Sequence, residues 1–268
     1  MALNMTFVGN PGTAKTTVAR ILAGIFYENG LLSSGELVEV GRADLVAKYT
    51  GQTAIKVQEV FRRSRGKMLF IDEAYALVED DGFSDEAIAT IVQEMENHRE
   101  DTIVIIAGYP DKMKEFLSTN PGLKSRIPFC IEFKDYSAEE LLKITELEAT
   151  RRGFSISDDA KKELLPVLAV SNAKPDGGNG RLCRNVVESA ILNYSYRNYG
   201  DNKKASVKND FILIPEDFGT SSDSENNRET SSVSWKSPEK EQISKDGDSL
   251  PDYLKNWETI WTAAKKLA

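Results

Sequence analysis

Gly9-Asn10-Pro11-Gly12-Thr13-Ala14-Lys15-Thr16 is the stretch from which the fold can be read. It follows Met5-Thr6-Phe7-Val8, a short β-rich run, and precedes a segment in which Val18, Ile21, Leu22, Ile25 and Phe26 recur at helical spacing. A glycine-rich loop between a strand and a helix is the setting of a phosphate-binding P-loop. Its backbone N–H groups converge on the anion, and the helix that follows presents its positive end. The residues expected to cradle a nucleotide are Gly9, Asn10, Pro11, Gly12, Thr13, Ala14, Lys15, Thr16 and Thr17. Lys15 reaches the β- and γ-phosphates, and Thr16 places its hydroxyl on Mg²⁺. Ala14 departs from the pattern, standing where glycine precedes the lysine. Its methyl matters only if the backbone there needs a positive φ or a very close approach.

Downstream, Leu69-Phe70-Ile71-Asp72-Glu73 puts two acids at the end of a continuously apolar run, which reads as a strand buried on both faces. Such a strand end faces the ligand crevice of an open α/β sheet. Asp72 is expected to hold Mg²⁺, and Glu73 to orient or deprotonate an attacking water. Three further strands are predicted at Leu37–Val40, Thr102–Ala107 and Phe129–Phe133. Helices lie between them, one carrying Val57, Val60 and Phe61 and one, capped by Ser84, carrying Ile88, Ile91, Val92 and Met95. Strands alternating with helices imply a parallel sheet sandwiched by helices.

After Asp135 the pattern turns to helices only. Ser137-Ala138-Glu139-Glu140 is a capping-box signature, a second helix follows Ser157, and a third follows Gly177-Gly178-Asn179-Gly180. Residues 219–250 carry many Ser, Asp, Glu, Asn and Lys and few apolar side chains, so they read as a disordered linker. In residues 251–268 an apolar face of Tyr253, Leu254, Trp257, Ile260, Trp261, Ala264 and Leu267 predicts an amphipathic helix.

The formal net charge of −8 over 268 residues argues against nucleic acid as a partner. No apolar run reaches the roughly 18 residues of a membrane span. Met1–Val8 has no basic leader, so the expected location is cytoplasmic. The two cysteines, Cys130 and Cys183, read as reduced thiols in or near the core, and the single histidine, His98, as part of a solvated helix terminus.

With these motifs in place, Gly41-Arg42-Ala43-Asp44-Leu45-Val46-Ala47-Lys48-Tyr49-Thr50-Gly51, a helix and the acidic strand resemble AAA+ ATPases. The resemblance is strongest to the group containing red-type rubisco activase and stage V sporulation protein K, and runs from about Met5 to Phe218. It implies a P-loop NTPase α/β domain over 1–135 and a small all-helical lid over 136–218. It also implies an ATP-driven ring, usually a hexamer, that remodels a protein substrate. Tyr49-Thr50-Gly51 then matches the pore loop that grips the substrate, and Arg126 the arginine finger, with Lys124 as a second basic residue nearby. Arg181, in Gly178-Asn179-Gly180-Arg181, matches the lid arginine that senses nucleotide, with Arg184 one turn on. Tyr109 occupies the place of the first sensor, and few residues precede the first strand to enclose an adenine. Two rival readings stay open: a nucleotide-switched assembly factor, and a subunit in which Ala14 and the short N-terminus have disabled hydrolysis.

Overall fold

The computed structural model describes residues 3–47, 51–78, 84–174, 177–199 and 211–219. Five strands form one all-parallel sheet: β1 (Met5–Gly9), β2 (Leu37–Val40), β3 (Met68–Ile71), β4 (Ile103–Gly108) and β5 (Phe129–Phe133). Their order across the sheet is β2-β3-β4-β1-β5. β3 and β4 are buried along their whole lengths, and alternate side chains go to opposite faces. Met68, Phe70, Ile103 and Ile105 join Phe7 and Phe133 in one core, under Val18, Leu22 and Phe26 of α1 (Lys15–Glu28). Leu69, Ile71, Val104 and Ile106 point the other way. They are covered by α3 (Thr53–Arg63), α4 (Ser84–Asn97), α5 (Pro110–Thr119) and α6 (Pro121–Arg126), with the short α2 (Arg42–Leu45) beside them. Both faces being covered explains why these two strands read as unbroken apolar runs, and why the edge strands β2 and β5 do not.

Beyond the sheet, α7 (Ala138–Arg151), α8 (Asp158–Asn172) and α9 (Gly180–Tyr199) enclose a separate core around Leu141, Leu164, Leu168, Cys183 and Val187. Ser137 and Glu140 exchange the two hydrogen bonds of the capping box, at 3.3 and 2.8 Å, and Ser157 caps α8. This part is not helices alone: β6 (Ser155–Ile156) and β7 (Ile212–Leu213) form a two-residue parallel pair. Two residues are too few to show a period of two, so no sequence pattern could reveal it. The segment after β7 is pinned to α9 by Asp217, whose buried carboxylate takes two hydrogen bonds from Arg197, at 2.8 and 2.9 Å.

Two expectations need correction. Cys130 is exposed on the edge strand β5, whereas Cys183 is buried as expected. His98 is not a solvated terminus. Its ring stacks on Phe61 with centroids 6.1 Å apart and lies between Glu94 and Asp101, at 3.3 and 3.4 Å. Helical i,i+4 spacing supplies Glu94, the turn after α4 supplies Asp101, and the chain crossing that brings Phe61 alongside is a tertiary event. Tyr49 and Thr50 lie outside the described residues, as do the helix expected over 251–268 and the linker after Gly219.

Candidate functional site

The loop leaving β1 turns sharply against its surroundings. A Cβ at Gly9 would lie 2.5 Å from the Phe133 carbonyl oxygen, and Gly12 sits at φ +74. Thr13 is buried, with its hydroxyl donating to the Asn10 carbonyl at 2.7 Å. Ala14 ends the loop at φ 65, ψ 22, and its carbonyl accepts the first helical hydrogen bond of α1, from Val18 at 2.9 Å. The condition under which its methyl matters is therefore met: the fold requires a left-handed backbone at a residue with a Cβ. That strain is carried by the folded chain. Removing it should stabilise the chain. Left-handed geometry costs a non-glycine residue about 1–2 kcal/mol, and glycine gives back about 0.4–1 kcal/mol in unfolded-state entropy. Ala14→Gly is expected to raise the melting temperature by about 2–4 °C. A lower melting temperature by scanning calorimetry would mean that the methyl's packing outweighs its strain.

Lys15 turns back over the loop, donating to the carbonyls of Gly9 and Asn10, each at 2.8 Å. Burial pushes its ammonium below the usual lysine range; nearby Asp72 opposes the shift, and Arg181 adds to it. Its hydrogen bonds go to neutral carbonyls, which it can exchange for an anion's oxygens, while Asp72, Glu73 and Asp135 act on it through charge.

Asp72 prolongs the ladder at the end of β3, its N–H donating to the Val40 carbonyl at 2.9 Å. Glu73 then adopts φ 49, and its N–H is held by Asp72 Oδ1 at 3.0 Å. The turn that follows folds Tyr75 back so that its phenol hydrogen-bonds Glu73. Burial, with the charge of Glu73 beside it, pushes the Tyr75 phenol up to about 12, so it remains a donor to that carboxylate throughout the neutral range. Tyr109 packs on Tyr75 at 5.8 Å between centroids, and Lys112 Nζ lies 4.6 Å from the Tyr75 ring centre.

Lys15, Asp72, Glu73 and Tyr109 share one cavity of about 350 Å³ between the sheet and the lid. Gly9, Pro11, Gly12, Ala14, Lys15, Thr16 and Thr17 line it with Asp72, Glu73 and Tyr109; Arg181 and Arg184 line it from α9. Asn10 and Thr13 support the loop from outside the cavity wall. Ala14, Glu73 and Asn179 are the non-glycine residues with positive φ among the described residues, and all three belong to this region. Left-handed residues with side chains collect where a site imposes geometry on the chain.

Arg126 is elsewhere. It closes α6, before the N-terminal end of β5, whereas the loop leaves the C-terminal end of β1, which pairs in register from Met5↔Phe129 to Gly9↔Phe133. At about 3.3 Å per residue the two are separated by on the order of 20 Å. Arg126 lines a different cavity with Asn4 and Glu96, its Nε 3.4 Å from Glu96 and its Nη1 donating to the Gly122 carbonyl at 3.2 Å. Of the expected pore-loop residues only Gly51 is described, at φ +79 and exposed in the turn before α3.

Several residues escaped the sequence reading. Tyr75 was within reach of it, standing two positions after Glu73 in a turn. Tyr136 was not: its hydroxyl lies 3.4 Å from the Thr13 carbonyl, across the sheet–lid junction. Ile144 and Leu147 of α7 give the cavity an apolar wall, and their spacing is that of any core helix face.

Comparison with known proteins decides the family. Residues 5–134 match the model of the ATPase family associated with various cellular activities (AAA), and residues 137–228 match an AAA lid domain. This chain belongs to the AAA ATPase family. The AAA ATPase is 42% identical over 215 residues to a CfxQ homolog of Galdieria sulphuraria, covering 79% of this chain and 70% of that protein. It is 44% identical over 195 residues to stage V sporulation protein K of Bacillus subtilis, covering 71% and 61%. With the chloroplastic ribulose bisphosphate carboxylase/oxygenase activase of Cyanidioschyzon merolae it shares 40% over 215 residues, covering 79% and 73%. In fold, the AAA ATPase is similar to the FIGL-1 AAA domain, with a TM-score of 0.57 at 19% identity, over 81% of this chain and 69% of that one. Among its described residues no helix is long and apolar enough to cross a membrane.

Proposed function

We propose that this AAA ATPase binds Mg²⁺–ATP between its α/β part (1–135) and its lid (136–218), hydrolyses it, and works as a ring, a hexamer by family analogy, that remodels a protein substrate. One observation carries the reading: Lys15, Thr16, Asp72, Glu73 and Arg181, from three separate stretches of chain, line the same cavity. Thr16 and Asp72 offer the hard oxygen donors that suit Mg²⁺, an ion that keeps several waters and needs few protein ligands. When bound, the ion neutralises charge on the β- and γ-phosphates.

The protein's own groups then have distinct tasks. Backbone N–H groups of the loop and Lys15 hold the phosphates in place. Glu73, steadied by Tyr75, accepts a proton from the water that attacks the γ-phosphorus, releasing ADP and phosphate. Arg181 contacts the triphosphate from the lid, so that loss of the γ-phosphate loosens the lid. Arg126, too far to serve its own cavity, acts at the cavity of a neighbouring copy, where a guanidinium stabilises charge in the transition state. Motion of the lid would be passed to substrate by Tyr49-Thr50-Gly51. The acidic chain and its free thiols suit a reducing cytoplasmic compartment.

Steady-state ATP turnover with Mg²⁺, measured across protein concentration, tests the reading. Turnover per subunit is expected to rise about tenfold or more with concentration and then level off, because each complete site needs two copies. A specific activity independent of concentration, down to levels where the chain is monomeric, would remove Arg126 from the mechanism. Absence of turnover under all conditions would remove hydrolysis.

A further inference from the structure

Asn179 is 2% exposed, adopts φ 46, and uses every hydrogen-bonding group of its side chain. Its Nδ2 donates to Asp135 Oδ1 at 2.7 Å and to the Pro11 carbonyl at 3.3 Å. Its Oδ1 accepts from the Tyr136 N–H at 2.9 Å and from Asn172 Nδ2 at 3.3 Å. Its own N–H donates to Asn172 Oδ1 at 3.0 Å. A single amide thus joins the phosphate loop, the hinge between β5 and α7, the end of α8 and the start of α9. Asp135 carries the connection back to the loop by accepting from Asn10 Nδ2 at 2.8 Å.

The main chains meet beside it. The Gly180 N–H donates to the Gly12 carbonyl at 3.0 Å. Gly12 is pressed so closely on the lid that a Cβ there would lie 2.1 Å from the Gly178 carbonyl oxygen. Two residues beyond Asn179, Arg181 begins its run along the cavity wall.

We infer that Asn179, with Asp135, is the latch by which the phosphate loop and the lid move together, making Asn179 the positioning residue for Arg181. Removing one member of a fully satisfied buried network leaves its partners unpaired in a region of low dielectric, which costs more than the bond itself. Its role in nucleotide sensing rests on the ATP reading given above; its role in joining loop to lid does not.

Asn179→Gly tests the latch cleanly, because glycine takes φ 46 without strain and only the amide is lost. In the full chain without nucleotide, hydrogen exchange at the Gly180 amide is expected to speed up about tenfold or more. Unchanged exchange would overturn the latch. The second readout is the affinity for a non-hydrolysable ATP analogue relative to ADP. Arg181→Ala should lower this preference about tenfold, Asn179→Gly by a similar factor, and the double variant by no more than either alone. Effects that multiply in the double variant would overturn the positioning role, as would an Arg181→Ala variant that discriminates like wild type. Asn179→Asp, which sets a second carboxylate against Asp135, should lose the same preference and regain it with Asp135→Asn; a merely structural lesion would lower melting temperature and both affinities together. Wild type that binds neither nucleotide would sink the ATP reading and the sensing role, while the exchange measurement would still decide the latch.

Discussion

Replacing Glu73 by glutamine is expected to lower ATP turnover by about 10²–10⁴-fold while leaving ATP affinity within about threefold of wild type. The substitution keeps size and shape. An amide oxygen still accepts the Tyr75 hydrogen bond, and the N–H that holds the turn to Asp72 Oδ1 is main chain and unaffected. What is lost is a carboxylate able to take a proton from the attacking water. Lys15 and the loop N–H groups, which carry binding, are untouched. The check is kcat at saturating Mg²⁺–ATP beside the dissociation constant of a fluorescent ATP analogue. A variant retaining more than a tenth of wild-type turnover would place the base elsewhere. One that no longer bound the analogue would show that Glu73 holds the loop and not the water.

The second large effect belongs to Arg126. Arg126→Ala is expected to reduce turnover by about 10³-fold or more, the range over which a missing arginine finger acts. Little stability should be lost, since its pairing with the half-exposed Glu96 is of a kind worth at most about 1 kcal/mol. The decisive form of the experiment uses two inactive variants. Arg126→Ala keeps Glu73, and Glu73→Gln keeps Arg126. When mixed, half of the interfaces between unlike subunits combine an intact base with an intact finger. Turnover should therefore reappear on mixing. No recovery, with mixed assemblies demonstrated by crosslinking or mass spectrometry, would rule out action in trans; the separation along β1 and β5 already rules it out in cis.

Much of this molecule follows rules that act over a few residues, and that part was legible. β2, β3 and β5 lie at the residues expected for them, and β1 and β4 differ by a residue at their ends, where ladders fray. The Ser137–Glu140 capping box and the Ser157 cap formed as written. The phosphate loop, Lys15, Thr16, Asp72 and Glu73 came together because a parallel sheet delivers all its strand ends to one side. The placement of Cys130 and His98 went astray where exposure depended on which strand became an edge and which helix passed alongside.

The strain at Ala14 illustrates the divide. Its identity marked it as a departure from the usual loop, but whether a methyl would matter turned on a φ of 65. That angle is set by how β1, the loop and α1 must be joined over the sheet.

By itself, the sequence determined the class of the fold, because strand burial and helix capping are read from neighbours in the chain. Only the tertiary structure decided how the parts are coupled. It set Asn179 against Pro11, 168 positions away, and put Tyr136 on Thr13, 123 positions away. It also carried Arg126 to the end of the sheet opposite its own nucleotide loop. No local window contains such contacts. They follow from β5 folding back beside β1 and from the lid closing over the loop, and the closure is held by a buried amide whose partners are chosen by packing and not by spacing.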